Sequence, residues 1–408
     1  MDYLEMIRAV PAHRTALIED SNCYTYGSIV RDADEIRHQS DLLDPGLEWI
    51  DEASVYGQLI RFLAYSGTNK VPVIISRETT RRPIPGSPVP STACMGVLTS
   101  GTTGIPKIWF RTFESWHSFF PTQNHIFGIN SSSRMLVHGS LAFTGNLNMY
   151  LSLMSEGASA ITCSPVYPPA WNQAMVDYQA NGVYLIPSKL RLLARTSSGC
   201  NPYIKTIVSG SQSLGLGDIR LLRTAYPNNQ CTLYYGASEL SFVSFIRDSQ
   251  MNDDPACVGL LFPGINIMIK NNEISVDTPY RALGLPTPCS VGDMGYTGAD
   301  GYLYLLGRKN NVYNIHGRKI SASLIEHALM ALDEVDEAAV TLEHGALTAY
   351  VVLNPQSEGT PAYCLLMEQL KQRLNPYELP RRIIYTKELP KNSSGKPVPS
   401  LLSAADPH

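Results

Sequence analysis

The chain has 408 residues, 44% hydrophobic and 17% charged, with a formal net charge of −4. This is the composition of an ordinary globular protein, long enough for a large core and two or three domains. The mildly acidic balance and the lack of any basic run give no electrostatic case for a nucleic-acid partner, and no stretch reaches the length of a membrane helix.

In chain order, the opening MDYLEMIRAV run carries acids where a secretion signal needs bases, so the cytoplasm is the default compartment and no membrane partner is expected. Tyr24-Thr25-Tyr26-Gly27 leads into residues 28–36, whose apolar positions have helical spacing. Residues 71–75 form a candidate strand, and 83–90 (PIPGSPVP) an irregular linker. The apolar run 93–98 suits a buried strand, and 109–120 can carry a helix. Strands are expected at 135–137, 158–162, 183–186 and 204–208, with a helix over 147–154. Such alternation argues for a mostly parallel sheet covered on both faces, with ligands collecting at the carboxyl ends of its strands. From Gly264 the period changes to two, in short runs at 265–269, 273–276 and 302–306 between Asn/Gly/Asp turns, which predicts a small antiparallel or barrel-like unit. After Arg308-Lys309-Asn310-Asn311 come a serine-capped helix at 321–332, strands at 335–340 and 346–353, a helix at 361–374 and a strand at 382–386. The expected class is α/β. A large N-terminal domain (1–308) holds mostly parallel sheets with helices on both faces and the β-barrel-like unit. A small α+β C-terminal domain (309–408) follows. The eight cysteines are scattered without a CxxC pair, as free thiols in a reducing compartment would be.

The densest chemical signal is Thr99-Ser100-Gly101-Thr102-Thr103-Gly104-Ile105-Pro106-Lys107, which packs hydroxyls, two glycines and a lysine into nine residues. Glycine lets backbone N–H groups approach a ligand, hydroxyls donate, and lysine adds charge, a combination suited to a polyphosphate. It is not the GxxxxGK[ST] loop, because no glycine precedes Lys107 and Ile108 follows it. The second signal is Tyr234-Tyr235-Gly236-Ala237-Ser238-Glu239, at the end of a short strand.

TSGTTGIPK, YYGASE, Gly292-Asp293, Gly307-Arg308 with Gly317, and PKNSSGK at 390–396, in this order, resemble the adenylate-forming superfamily of acyl- and aryl-CoA synthetases, peptide-synthetase adenylation domains and luciferases. The likeness runs from about Tyr24 to Lys396. It implies a two-step reaction. A carboxylate attacks the α-phosphate of ATP and expels pyrophosphate. A thiol, of coenzyme A or of a carrier protein's phosphopantetheine, then displaces AMP to give a thioester.

The roles implied by that resemblance fall on individual residues. Thr99, Ser100, Gly101, Thr102, Thr103, Gly104 and Lys107 grip the β- and γ-phosphates. Tyr235, beside Gly236, lies against adenine, Ser238 touches the α-phosphate, and Glu239 holds Mg2+ through a hard carboxylate oxygen. Asp293 accepts from the ribose hydroxyls, and Arg308 contacts ribose or phosphate. Lys396 places its charge on the carboxylate and α-phosphate during the first step. The small domain is expected to be mobile, rotating about a hinge at Asn310 and withdrawing Lys396 for the second step, with Gly317 lining the pantetheine tunnel.

The sequence departs from the family pattern in several places. Asn310 stands for the usual hinge acid or lysine, Ser238 for threonine, Lys319 for arginine and Ile108 for glycine, and the chain before the loop is short. Where amino-acid-activating relatives carry Phe-Asp, this chain has Phe143-Thr144. Thr144 supplies no countercharge to an α-ammonium, so α-amino acids are disfavoured. The run 107–112 (KIWFRT) is similar to ligases of hydroxybenzoate-type acids and leans the substrate toward an aryl acid. His138, Phe143, Gly210 and Tyr234 are the candidate walls of the acid pocket. The alternative reading is a catalytically impaired relative that binds a nucleotide or a carrier protein. The charged set Lys107, Glu239, Asp293, Arg308 and Lys396 favours activity.

Overall fold

The computed structural model describes residues 1–40, 44–76, 88–99, 106–164, 166–197, 199–252, 254, 256–315, 318–332, 334–354, 363–390 and 402, with the backbone alone for Ser40, Asn310 and Lys319. Lys396, Gly317, residues 100–105 of the phosphate-loop motif and most of the 83–90 linker lie outside the described residues.

Along the main sheet of 13 strands the order is Asn266–Lys270, Glu273–Asp277, Asp293–Thr297, Leu303–Arg308, Cys257–Leu261, Ser241–Arg247, Gln230–Ala237, Thr206–Gly210, Gly182–Tyr184, Arg134–Val137, Ser159–Thr162, Thr15–Glu19 and Asn22–Thr25. From Gln230–Ala237 to Thr15–Glu19 every pairing is parallel. From Gln230–Ala237 outward to Asn266–Lys270 every pairing is antiparallel. The expected barrel-like unit is thus an antiparallel extension of the main sheet through the strands Ser241–Arg247 and Cys257–Leu261.

Alternation along the parallel strands builds two cores. Leu17, Met135, Val137, Ala160 and Val208 pack into one cluster, while Ile18, Leu136, Ile161, Val183 and Ile207 pack into another. Side chains on a strand point to opposite faces, so both faces are buried. That explains why these strands read as near-continuous apolar runs. All eight cysteines are free, and among the described residues no helix is long and apolar enough to cross a membrane.

A second sheet runs Gly46–Ile50, Lys70–Ile74, Met95–Thr99 and Lys107–Arg111. Here the structure corrects the helix expected over 109–120. Lys107–Arg111 is a strand antiparallel to Met95–Thr99, and helix resumes only at Glu114–His117 and Phe120–Phe127. Ile108, Trp109 and Phe110 are strong strand formers, and an adjacent edge offers them ladder partners, which outweighs weak helical spacing. Beyond Arg308 a short turn, Lys309–Asn311, leads to the hairpin Val312–Ile315 and Arg318–Ser321. A separate sheet of Val335–Glu343, Ala346–Leu353 and Arg382–Tyr385 then packs with helices Ala322–Met330 and Tyr363–Lys371 around its own core. Ser321 caps the first of these helices by accepting from Leu324 N, as its sequence position predicts.

Candidate active site

The strand Met95–Thr99 carries the chain into the phosphate-loop motif, and Lys107 brings it back. Thr99 and Lys107 sit opposite each other in the hairpin, Thr99 accepting from Trp109 Nε1 at 3.3 Å and Lys107 standing exposed at the rim. Helix Thr144–Ser155 begins beside them. Thr144 Oγ1 lies 3.4 Å from the carbonyl of Leu98 and bonds Ser238 Oγ at 2.9 Å, so one threonine ties the end of the loop strand to the second motif.

The nucleoside-type residues form a tight group. Tyr235 is buried on the strand Gln230–Ala237, and its hydroxyl donates to Asp293 Oδ2 at 2.6 Å. Gly292, at φ +81°, makes the left-handed turn that feeds Asp293 into its strand. Asp293 faces Arg308 across the ladder, and Arg308 Nε reaches Asp293 Oδ1 at 2.7 Å. Burial, helped by the Asp293 charge, holds the Tyr235 phenol well above its ordinary pKa, so it stays a donor.

Glu239 is half-buried, and its carbonyl accepts from Ala282 N at 2.7 Å. Its carboxylate has no hydrogen-bond or ion-pair partner among the described residues. No group of three or more His, Cys, Asp or Glu side chains is gathered for a metal among those residues. A single free carboxylate shared with substrate phosphates is nevertheless a normal arrangement for Mg2+.

Arg111 is a supporting residue whose role the sequence did not reveal. It is completely buried on the strand that follows Lys107. It donates to the carbonyls of Ser238 and, at 2.7 Å, of Tyr280, and stacks 5.3 Å from the Trp116 ring. Burial lowers its pKa to about 10, so it is still a cation at neutral pH. A lone arginine in a KIWFRT run carries no sequence signal for such a tie.

Behind Ser238 lies a cavity of about 90 Å³, whose walls include Arg111, Trp116, Thr144, Tyr234, Ser238 and Phe242. Of the predicted acid-pocket residues, Tyr234 is a wall, and Gly210 makes room for it. A Cβ on Gly210 would stand 2.4 Å from Tyr234 Cζ. His138 and Phe143 fall outside the cavity lining. His138 packs on Trp171 at 4.4 Å, with Nδ1 2.9 Å from Lys189 Nζ, and Phe143 precedes the helix as its N-cap. Asn148 and Ser241, which the sequence reading passed over, also line the cavity. Asn148 was legible as the helical neighbour of Thr144, four residues on and on the same face. A larger cavity, about 690 Å³, lies between helices Pro187–Arg195, Leu216–Ala225 and Ala322–Met330 and contains none of the motif residues.

Residues 10–284 match the AMP-binding enzyme family, and residues 324–396 match the AMP-binding enzyme C-terminal domain. The chain is 29% identical over 321 residues to the uncharacterized acyl-CoA ligase YhfT of Bacillus subtilis (strain 168), an alignment covering 73% of this chain and 66% of that relative. It spans, in other words, about two thirds of that relative's length. Its fold is shared with the anthranilate CoA ligase AuaEII, solved with anthranoyl-AMP (TM-score 0.85, 16% identity, 97% of this chain and 95% of that one). It is also shared with o-succinylbenzoate CoA synthetase (MenE) of Bacillus subtilis, solved with its acyl-adenylate intermediate OSB-AMP (TM-score 0.82, 17% identity, 99% and 98%). With the family match covering most of the chain and the whole fold reproduced, this protein belongs to the AMP-binding enzyme family of adenylate-forming proteins.

Proposed function

We propose that the protein uses ATP and Mg2+ to activate a carboxylic acid as its acyl-adenylate, and then transfers the acyl group to the thiol of coenzyme A. The observation that carries this reading is the contiguity of two groups of side chains. Tyr235 forms a nucleoside cradle with Asp293 and Arg308 of two other strands of the sheet, while its strand neighbours Tyr234 and Gly236, and Ser238 just past the strand's end at Ala237, line a partly open cavity. An acid seated in the cavity has its carboxylate beside the α-phosphate of a nucleotide in the cradle.

In the first step an oxygen of the carboxylate attacks the α-phosphorus, and the bond to the β-phosphate bridging oxygen breaks. Pyrophosphate leaves, received by the loop from Thr99 to Lys107. Ser238, held by Thr144, orients the α-phosphate. Mg2+ on the free Glu239 carboxylate would neutralise phosphate charge. In the second step the thiol sulfur attacks the acyl carbon, AMP departs, and the thiol proton is lost to solvent.

Residues 1–308 are the catalytic core and 309–408 a lid that brings Lys396 to the first step. The separate core of the second unit and the turn at Lys309–Asn311 support that division. The rings of Trp116, Tyr234 and Phe242 on the cavity favour a flat aryl acid. The test is product analysis with acid, ATP, Mg2+ and either coenzyme A or a holo-carrier protein. Acyl-CoA and AMP in equal amounts support the proposal. Acylation of the carrier alone reassigns the acceptor, and ADP in place of AMP refutes the chemistry.

A further inference from the structure

We infer that the acid pocket selects a short carboxylic acid, no larger than a single ring, that carries a hydrogen-bonding group on the end away from its carboxylate. This rests on the acid-activating reading above and names its substrate class.

Size is the first observation. The cavity holds about 90 Å³ and is partly open, which suits a short acid or a single ring seated at its mouth and leaves no room for a long chain. Its far side is solid. The Tyr234 ring meets Phe242 edge-on at 4.5 Å, and Phe242 in turn contacts Phe127 at 5.6 Å and Phe262 at 5.8 Å. Phe127, Phe242 and Phe262 are each at most 5% exposed. A long saturated chain entering past Ser238 finds packed aromatic rings where it needs a channel.

Polarity is the second observation. Asn148, 3% exposed, leaves its Oδ1 without a partner, and Ser241, 8% exposed, leaves its hydroxyl without one, among the described residues. The Tyr184 and Tyr234 hydroxyls lie 2.7 Å apart and share one hydrogen bond, so one of their two protons still needs an acceptor. Burial keeps both phenols protonated, with Tyr234 pushed up to about 12. Buried polar atoms are nearly always paired in folded proteins. The lone Asn148 Oδ1 and Ser241 hydroxyl, the unpaired Nε of the cavity-lining Arg111 and the spare proton of the tyrosine pair mark the place where a ligand supplies both donor and acceptor, as a hydroxyl or carboxamide does. A site built this way rejects an apolar isostere strongly, because the analogue strands the site's own groups.

The test is ATP–pyrophosphate exchange by the full chain with matched acids: 3-hydroxybenzoate against benzoate, 4-hydroxybutanoate against pentanoate, and octanoate and palmitate as long chains. The expected kcat/KM is about tenfold or more higher for each hydroxylated acid than for its apolar partner, with the long chains below both. Asn148→Leu and Tyr234→Phe are expected to shrink that gap to within about threefold, while AMP affinity measured by calorimetry stays at the wild-type value and certifies the fold. Octanoate or palmitate as the best substrate overturns the inference and leaves acid activation intact. So does a gap that survives in both variants. Exchange with no acid at all overturns both.

Discussion

The Tyr235 hydroxyl donates to Asp293 across a 2.6 Å contact, and the other oxygen of that carboxylate holds Arg308 Nε at 2.7 Å. Three residues far apart in sequence thus form one charged cradle, fixed before any nucleotide arrives. Removing the carboxylate strands a buried phenol and frees the guanidinium. Asp293→Ala is expected to raise the KM for ATP about tenfold or more, with a smaller change in kcat, read from initial rates at saturating acid. A KM for ATP within twofold of wild type removes Asp293 from the nucleotide site.

Arg111 connects the strand leaving the phosphate loop to the carbonyl of Ser238, next to Glu239. Losing it leaves the carbonyls of Ser238 and Tyr280 without their buried donor, a cost of about 1–3 kcal/mol each. Arg111→Met is expected to lower thermal stability and also to raise the Mg2+ concentration needed for half-maximal exchange. Arg111→Lys should recover part of the second effect. A stability loss with unchanged Mg2+ dependence limits Arg111 to a structural role.

Gly210 has no room for a methyl group, since a Cβ there would stand 2.4–2.7 Å from the Tyr234 ring. Gly210→Ala must therefore displace a wall of the cavity behind Ser238, the proposed acid pocket, while leaving Asp293 and Arg308 in place. The expected outcome is an acid KM raised about tenfold with AMP affinity held within twofold, measured by exchange kinetics and calorimetry.

Glu326 gives a pH prediction independent of catalysis. Burial pushes its carboxyl up to about 7 from the ordinary 4.5, with Val340 N donating to Oε1 at 2.8 Å. A raised carboxyl pKa costs nothing below 4.5. The cost accumulates as pH rises from 4.5 to the folded value of about 7 and is complete above it. The residue as a whole is half-buried, so about 1–2 kcal/mol is expected to survive solvent screening. Glu326→Gln keeps the acceptor and removes the charge. It should raise Tm at pH 8 and match the wild type near pH 4. The neighbouring His327, held neutral with its pKa lowered to about 4, is the same in both proteins and cancels from the comparison.

Under the proposed function Lys396 takes part in the first step alone. Lys396→Ala is expected to lose about 100-fold or more in exchange, in keeping with a lost charge at a developing phosphate. The same variant should convert supplied acyl-adenylate and coenzyme A to thioester within a few-fold of wild type. Equal losses in both halves contradict the division of labour.

Much of the fold was legible because buried parallel strands are short apolar runs with helices between them. Residues 135–137 and 158–162 announced themselves this way, and the Ser321 cap marked its helix. Lys107–Arg111 was misread because its residues suit both states and the deciding partner, Met95–Thr99, lies across a loop. Tyr235, Asp293 and Arg308 each stand out in the sequence as candidates, but their mutual bonds do not, since register across the antiparallel strands sets them. His138 stands out as a histidine after a strand, and in the structure it packs on Trp171 and is not among the residues that line the cavity. Arg111 matters through burial and its carbonyl partners, and Ser241 through burial at the cavity wall, which no local pattern encodes.

The most direct test of the central claim is acid-dependent incorporation of labelled pyrophosphate into ATP, with Mg2+ and the unaltered full chain. The account predicts incorporation well above the acid-free blank for at least one short polar acid, lost in Glu239→Gln. Tight binding of AMP with no incorporation for any acid would contradict it.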